Sequence, residues 1–107
     1  MKKLISLFIL MAAICSCSAP ENNVYMFSYF TDNGQDGLHL AYSYDGLKWE
    51  ALNDAKSFLA PQVGEDKLMR DPSIVQDDNG TFHMVWTTGW WDQGIGYASS
   101  KDLVNWS

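Results

Sequence analysis

The sequence predicts an all-β fold made of two similar sheets arranged as propeller blades, on three observations. Short β-rich runs are separated by Gly, Asn and Asp clusters, almost nothing follows a helical period, and the second half of the chain repeats the first. Val24–Phe30 is the first expected strand, and Thr31 to Gly37 is its turn. Leu38–Tyr44 follows, with Leu38, Leu40 and Tyr42 on one face and His39, Ala41 and Ser43 on the other. After a turn opened by Asp45-Gly46, Trp49 to Leu52 is expected as a short outer strand. Asn53 to Leu68 is the least regular segment, a loop with a helical turn around Asp54–Phe58. Ser73–Gln76, Thr81–Thr88 and Gly94–Ser100 then form a meander, turning at Asp77–Gly80 and Gly89–Gln93.

The repeat carries the architecture. At an offset of 57 residues, Gly37, Ala41, Ser43, Asp45 and Trp49 lie over Gly94, Ala98, Ser100, Asp102 and Trp106. Upstream, Val24–Phe30 lies over Phe82–Thr88 with one residue of slippage in the loop. One small sheet cannot bury both of its faces, so recurring meanders stack around an axis and share a core. Propellers close with roughly four to eight blades, and about two are present here. The chain therefore reads as the N-terminal portion of a longer protein.

Lys2-Lys3 precede an apolar run from Leu4 to Ile14, which is short for a membrane span and reads as a secretory signal. Ile14-Cys15-Ser16-Cys17 resembles a bacterial lipobox, so residues 1–17 are expected to be a lipoprotein signal ending at a lipidated Cys17. Ordinary cleavage near Ser18-Ala19-Pro20 is the alternative. The expected location is beyond the inner membrane, as a periplasmic or cell-surface lipoprotein whose only membrane contact is its lipid. Residues 18–23 form a polar tether, and no disulfide framework remains in the mature chain.

Removing residues 1–16 takes away Lys2 and Lys3 and no acid, moving the net charge from −6 to −8. So acidic a chain is a poor partner for nucleic acid, whose phosphates need Lys and Arg to displace counterions. It has no basic run for an anionic membrane either. A neutral substrate fits better, and Trp49, Trp86, Trp90, Trp91 and Trp106 supply the aromatic surface that a carbohydrate binder uses as well as a core.

Asp71 is the leading functional candidate. Pro72 biases it away from the α region toward an extended conformation, which places it at the entrance of an inner strand facing a central funnel. Arg70 beside it can hold a carboxylate ionised or bind sugar hydroxyls. Trp90 and Trp91 lie in a turn, where exposed indoles suit stacking on a sugar ring or packing under a neighbouring blade. Asp92 is a candidate acceptor for a substrate hydroxyl, or a solvated turn acid. His39 and His83 lack partners at metal-ligand spacing and read as structural, so no metal and no cofactor are expected. Asp45 and Asp102 each open a turn and can bond the backbone beyond it, while Trp49 and Trp106 plug the blades. Glu21, Glu50 and Glu65 are the only glutamates, and none has the setting of a general acid.

Arg70-Asp71-Pro72-Ser73-Ile74, Asp78-Asn79-Gly80-Thr81-Phe82-His83 and Ser100-Lys101-Asp102-Leu103-Val104-Asn105-Trp106 together resemble the five-bladed β-propeller glycosidases of glycoside hydrolase family 43. The resemblance covers about residues 24–107, and the chain is also similar to secreted Bacteroidetes lipoprotein enzymes. It implies inverting hydrolysis of arabinosides or xylosides by three carboxylates. Asp71 matches the general base, or the second Asp that tunes the acid. The Glu acid would lie beyond residue 107, leaving this stretch inactive alone. Three alternatives stay open: a non-catalytic glycan-binding propeller, a glycoside phosphorylase, and a sialidase-like propeller. The last rests on Ser43 to Trp49, which resembles an Asp-box with its glycine one position early.

Overall fold

The computed structural model describes residues 22–107; the expected signal peptide, Cys17 and most of the expected tether lie outside the described residues. Two antiparallel sheets follow one another along the chain. The first contains β1 (Tyr25–Tyr29), β2 (His39–Ser43) and β3 (Glu50–Ala51) in that spatial order. The second contains β4 (Arg70–Gln76), β5 (Phe82–Thr87) and β6 (Ile95–Ser100), again in sequence order. β1 lies against β4, so the sheets pack face to face as two neighbouring blades of a β-propeller.

The repeat is stricter than the sequence suggests. Tyr25 pairs with Ser43 and Tyr29 with His39, while Phe82 pairs with Ser100 and Trp86 with Gly96. The two hairpins share one register, so the offset is 57 throughout and the expected slippage in the loop does not occur. A one-residue slip would turn every side chain of β1 to the opposite face, taking Ser28 away from the Pro72 carbonyl and Phe27 away from Trp49. The outer strand repeats as well. Ser107 exchanges both backbone hydrogen bonds with Ser99, as the repeat of Glu50 facing Tyr42 requires.

The turn after β2 is repeated after β6 with the same serine and aspartate bonds to the backbone. Ser43 Oγ accepts from the Gly46 amide, and Asp45 Oδ1 accepts from the Leu47 and Lys48 amides at 2.8 and 2.9 Å. In the second blade Ser100 Oγ accepts from Leu103, and Asp102 Oδ1 accepts from Val104 and Asn105 at 2.9 and 2.8 Å. Each turn also requires positive φ at its third residue, +74° at Gly46 and +66° at Leu103. A leucine is strained there; its side chain is retained because it packs on the core shared by the blades. The Trp49 and Trp106 indoles donate to the Gly46 and Leu103 carbonyls. Trp106 packs on that core, whereas Trp49 covers Phe27 edge-on at 4.6 Å.

Leu38 and Leu40 from the first blade meet Met69, Met84, Trp86 and Ala98 to form the core. Trp86 fits only because Gly96 faces it across the β5–β6 pair, where a Cβ would fall inside the indole. We expect Gly96→Ala to cost about 1–3 kcal/mol through overpacking, read as a lowered urea midpoint at unchanged slope. The loop after β3 holds one turn, at Asn53–Ala55 rather than Asp54–Phe58, and it is left-handed, with φ between 52° and 58°. Asn and Asp tolerate that region best among residues bearing a side chain. Among the described residues no helix is long and apolar enough to cross a membrane.

Candidate functional site

β4 begins at Arg70, three residues before the strand expected at Ser73, because a bulge interrupts its pairing. Arg70 faces Thr87 and pairing resumes with Ser73 facing Val85, which leaves one extra residue on β4. Asp71 and Pro72 occupy this bulge. Proline is harmless at such a place, since its missing amide is not needed by the ladder. Asp71 stands at φ +50°, so the extended conformation expected from Pro72 is not adopted. The bulge overrides the pre-proline preference, at a cost of about 1–3 kcal/mol for a residue with a side chain in this region. Its side chain is exposed.

The backbone around Asp71 is fixed on both sides. Ser28 Oγ on β1 donates to the Pro72 carbonyl at 2.5 Å, and Pro72 itself is buried. The Met69 amide donates to the Gly34 carbonyl at 2.8 Å, and the Leu68 amide to the Thr88 carbonyl at 3.0 Å. Gly34 lies so close that a Cβ would fall on the Met69 carbonyl oxygen, and its φ of +87° suits only glycine. The turn between β1 and β2 therefore acts as a seat for the start of β4.

Arg70 and Trp90 form one assembly. The guanidinium carbon is 4.1 Å from the Trp90 ring centre and 5.3 Å from that of Phe30. Arg70 Nη1 also donates to Asn33 Oδ1. Cation–π contacts contribute about 0.5–2 kcal/mol each, and here they join the β1–β2 turn of the first blade to the β5–β6 loop of the second. One face of Trp90 is thereby occupied, while Trp91 is 89% exposed. Asp92 belongs to a separate cluster. Its Oδ2 accepts from Thr88 Oγ1 at 2.5 Å, and with Gly64, Glu65 and Gln93 it lines a cavity of about 260 Å³.

The other polar candidates are held by local bonds. His39 is buried against Tyr29, and its Nε2 is 2.7 Å from Asp36. His83 bridges Asp77 at 2.9 Å and the Tyr97 hydroxyl at 2.8 Å. Glu50 sits on the outer strand β3 and accepts from the Tyr42 hydroxyl at 2.8 Å, a bond that raises the phenol's pKa. Glu65 lines the loop cavity with Asp92, so neither glutamate sits on the strand that carries Asp71. Among the described residues no group of three His, Cys, Asp or Glu side chains could hold a metal ion.

Three aspartates sit below the usual carboxylate range. The Lys48 and Leu47 amides lower Asp45, the Asn105 amide and side chain lower Asp102, and the His83 hydrogen bond with the Thr81 amide lowers Asp77. A pKa lower in the folded than in the unfolded state gives stability that is complete above the unfolded value of about 4. It is lost as pH falls through the folded value. The thermal midpoint should therefore be flat from neutral pH to about 4 and fall below it. Asp102→Ala should lower the midpoint at neutral pH and reduce that acid-side slope, as thermal melts at stepped pH would show.

Reading the sequence alone missed Asn33, Phe30 and Ser28 as supports of β4. The only local signal was Asn33-Gly34 in the first turn, which announces a turn and not a partner 37 residues away. A family model described as "probable glycosyl hydrolase domain", related to glycoside hydrolase family 43, matches residues 21–107. No curated protein and no solved structure matches. The matched segment contains both blades and the bulged strand that presents Asp71, and the chain belongs to this family of glycosyl hydrolase domains.

Proposed function

We propose that this chain is the N-terminal part of a propeller glycosidase that hydrolyses O-glycosidic bonds in plant-type polysaccharides or oligosaccharides, arabinosides or xylosides, with inversion. The observation that carries the reading is Asp71, an exposed carboxylate on a bulge whose flanking backbone is pinned by Ser28 and Gly34. Bulges re-aim side chains beside active sites, and fixed flanking bonds hold a catalytic group in place without a closing motion. As general base, Asp71 takes a proton from water while that water attacks the anomeric carbon. A Glu acid about 6.5–9.5 Å away protonates the leaving oxygen. Arg70, clamped by Trp90 and Asn33, orients the strand end and offers its guanidinium to sugar hydroxyls. Trp91 offers its free ring to a sugar face, and Asp92 a carboxylate oxygen to a hydroxyl.

Secretion through the N-terminal signal and lipidation at Cys17 would place the enzyme outside the inner membrane, where such glycans are met. In the full-length protein the first sugar released should carry the inverted anomeric configuration, visible by NMR before mutarotation. A retained anomer would overturn the mechanism. A second reading, a glycan-binding propeller without turnover, is favoured by the exposed Trp91. It predicts oligosaccharide binding with no released sugar.

A further inference from the structure

We propose that Asn79 is a site of spontaneous covalent modification, converting to aspartate and isoaspartate, and that the contact between the blades spares Asn33, the other asparagine followed by glycine. This holds independently of any role for Asp71. In an Asn-Gly pair the glycine amide reaches the asparagine side chain readily, because no Cβ stands in the way. The chain has two such pairs, Asn33-Gly34 between β1 and β2 and Asn79-Gly80 between β4 and β5.

Asn79 lies at the tip of its hairpin, at the opposite end of β4 from Asp71. It is exposed, and among the described residues its side chain has no hydrogen-bond partner, while its amide donates to Asp77 Oδ1 at 2.9 Å. The Gly80 amide donates to the Asp77 carbonyl at 3.0 Å and must leave it before it can react. That opening stays within the tip, and solvated loop tips open at least cost.

Asn33 starts from the same local bond, the Gly34 amide donating to the Thr31 carbonyl at 2.9 Å. It is also tied to the second blade. Arg70 Nη1 donates to Asn33 Oδ1 and so holds the carboxamide that would be attacked. The Gly34 carbonyl accepts from the Met69 amide at 2.8 Å, and Gly34 is buried against the Met69 carbonyl, so its peptide cannot turn without displacing β4.

The reaction consumes only water. The Gly80 nitrogen attacks Asn79 Cγ, its proton leaves with the side-chain nitrogen as ammonia, and water opens the cyclic imide at either carbonyl. Opening at one gives aspartate, and at the other isoaspartate, which lengthens the main chain by a methylene. Asp77 Oδ1 holds the Asn79 and Thr81 amides at 2.9 Å each, and a longer turn cannot keep both.

The test is peptide mapping by mass spectrometry of the full-length protein during incubation at mildly alkaline pH, folded and in guanidinium chloride. In the folded protein the Asn79 peptide should gain one mass unit and split into two products of equal mass, one a substrate of isoaspartyl methyltransferase. It should react faster than the Asn33 peptide by about tenfold or more, the cost of opening the inter-blade contact. In denaturant the two rates should converge. An unchanged Asn79 in the folded protein, equal rates at the two sites, or an Asn33 that stays slow when unfolded would each overturn the proposal.

Discussion

In the full-length protein, Asp71→Asn should lower kcat about 10²–10⁴-fold, the range that general-base removal gives, with little change in KM or in thermal midpoint. The amide keeps the size of the side chain and the αL tolerance that the bulge requires, so the fold should survive. Only the proton acceptor is lost. The same substitution separates the two roles open to Asp71. Loss of the base leaves the acid limb of the pH profile of kcat/KM without its lower inflection. Loss of the tuning Asp moves the alkaline inflection, which belongs to the acid. Unchanged kcat would remove Asp71 from the mechanism.

Gly34→Ala should destabilise the fold by about 2–5 kcal/mol, the sum of positive-φ strain and overpacking against backbone. Its Cβ would strike the Met69 carbonyl, and no rotamer change can relieve a backbone clash. The consequence reaches the site, because Met69 and Arg70 lead directly into the bulge. A folded fraction retained at low temperature should show weaker activity, as the strand end that aims Asp71 would have shifted. Chemical denaturation gives the first quantity, and kcat at 10 °C the second.

The alternation of Leu38, Leu40 and Tyr42 against His39, Ala41 and Ser43 was legible because strand side chains repeat every two residues, and β2 lies where it was expected. The turns at Ser43 to Trp49 and Ser100 to Trp106 were legible for a related reason, since Ser and Asp bond their own following amides. Register was harder. Aligned residue types favoured a slip before Leu38, while the actual pairing of Tyr25 with Ser43 brings Ser28 to the Pro72 carbonyl and Phe27 to Trp49, distant contacts that no local pattern displays.

The bulge was illegible for the same reason. Pro72 announces a restricted backbone, but a bulge is a count of residues against the partner strand, and that count exists only once Arg70 has found Thr87. Local preference predicted an extended Asp71 and pairing imposed positive φ. Arg70 illustrates the limit for side chains: adjacency to Asp71 suggested a role, whereas its partners Asn33, Phe30 and Trp90 come from two other loops. Trp90 and Trp91 look equivalent in the sequence, yet one ring is stacked on a guanidinium and the other is open.

The central claim is that Asp71 is the base of an inverting glycosidase centre. Its most direct test is chemical rescue of full-length Asp71→Ala with azide on an aryl arabinoside or xyloside. If the missing group is the base, azide should restore turnover in the space the carboxylate left and yield a glycosyl azide of inverted configuration. Absence of any azide product, with wild-type turnover retained by the unrescued variant, would contradict the account.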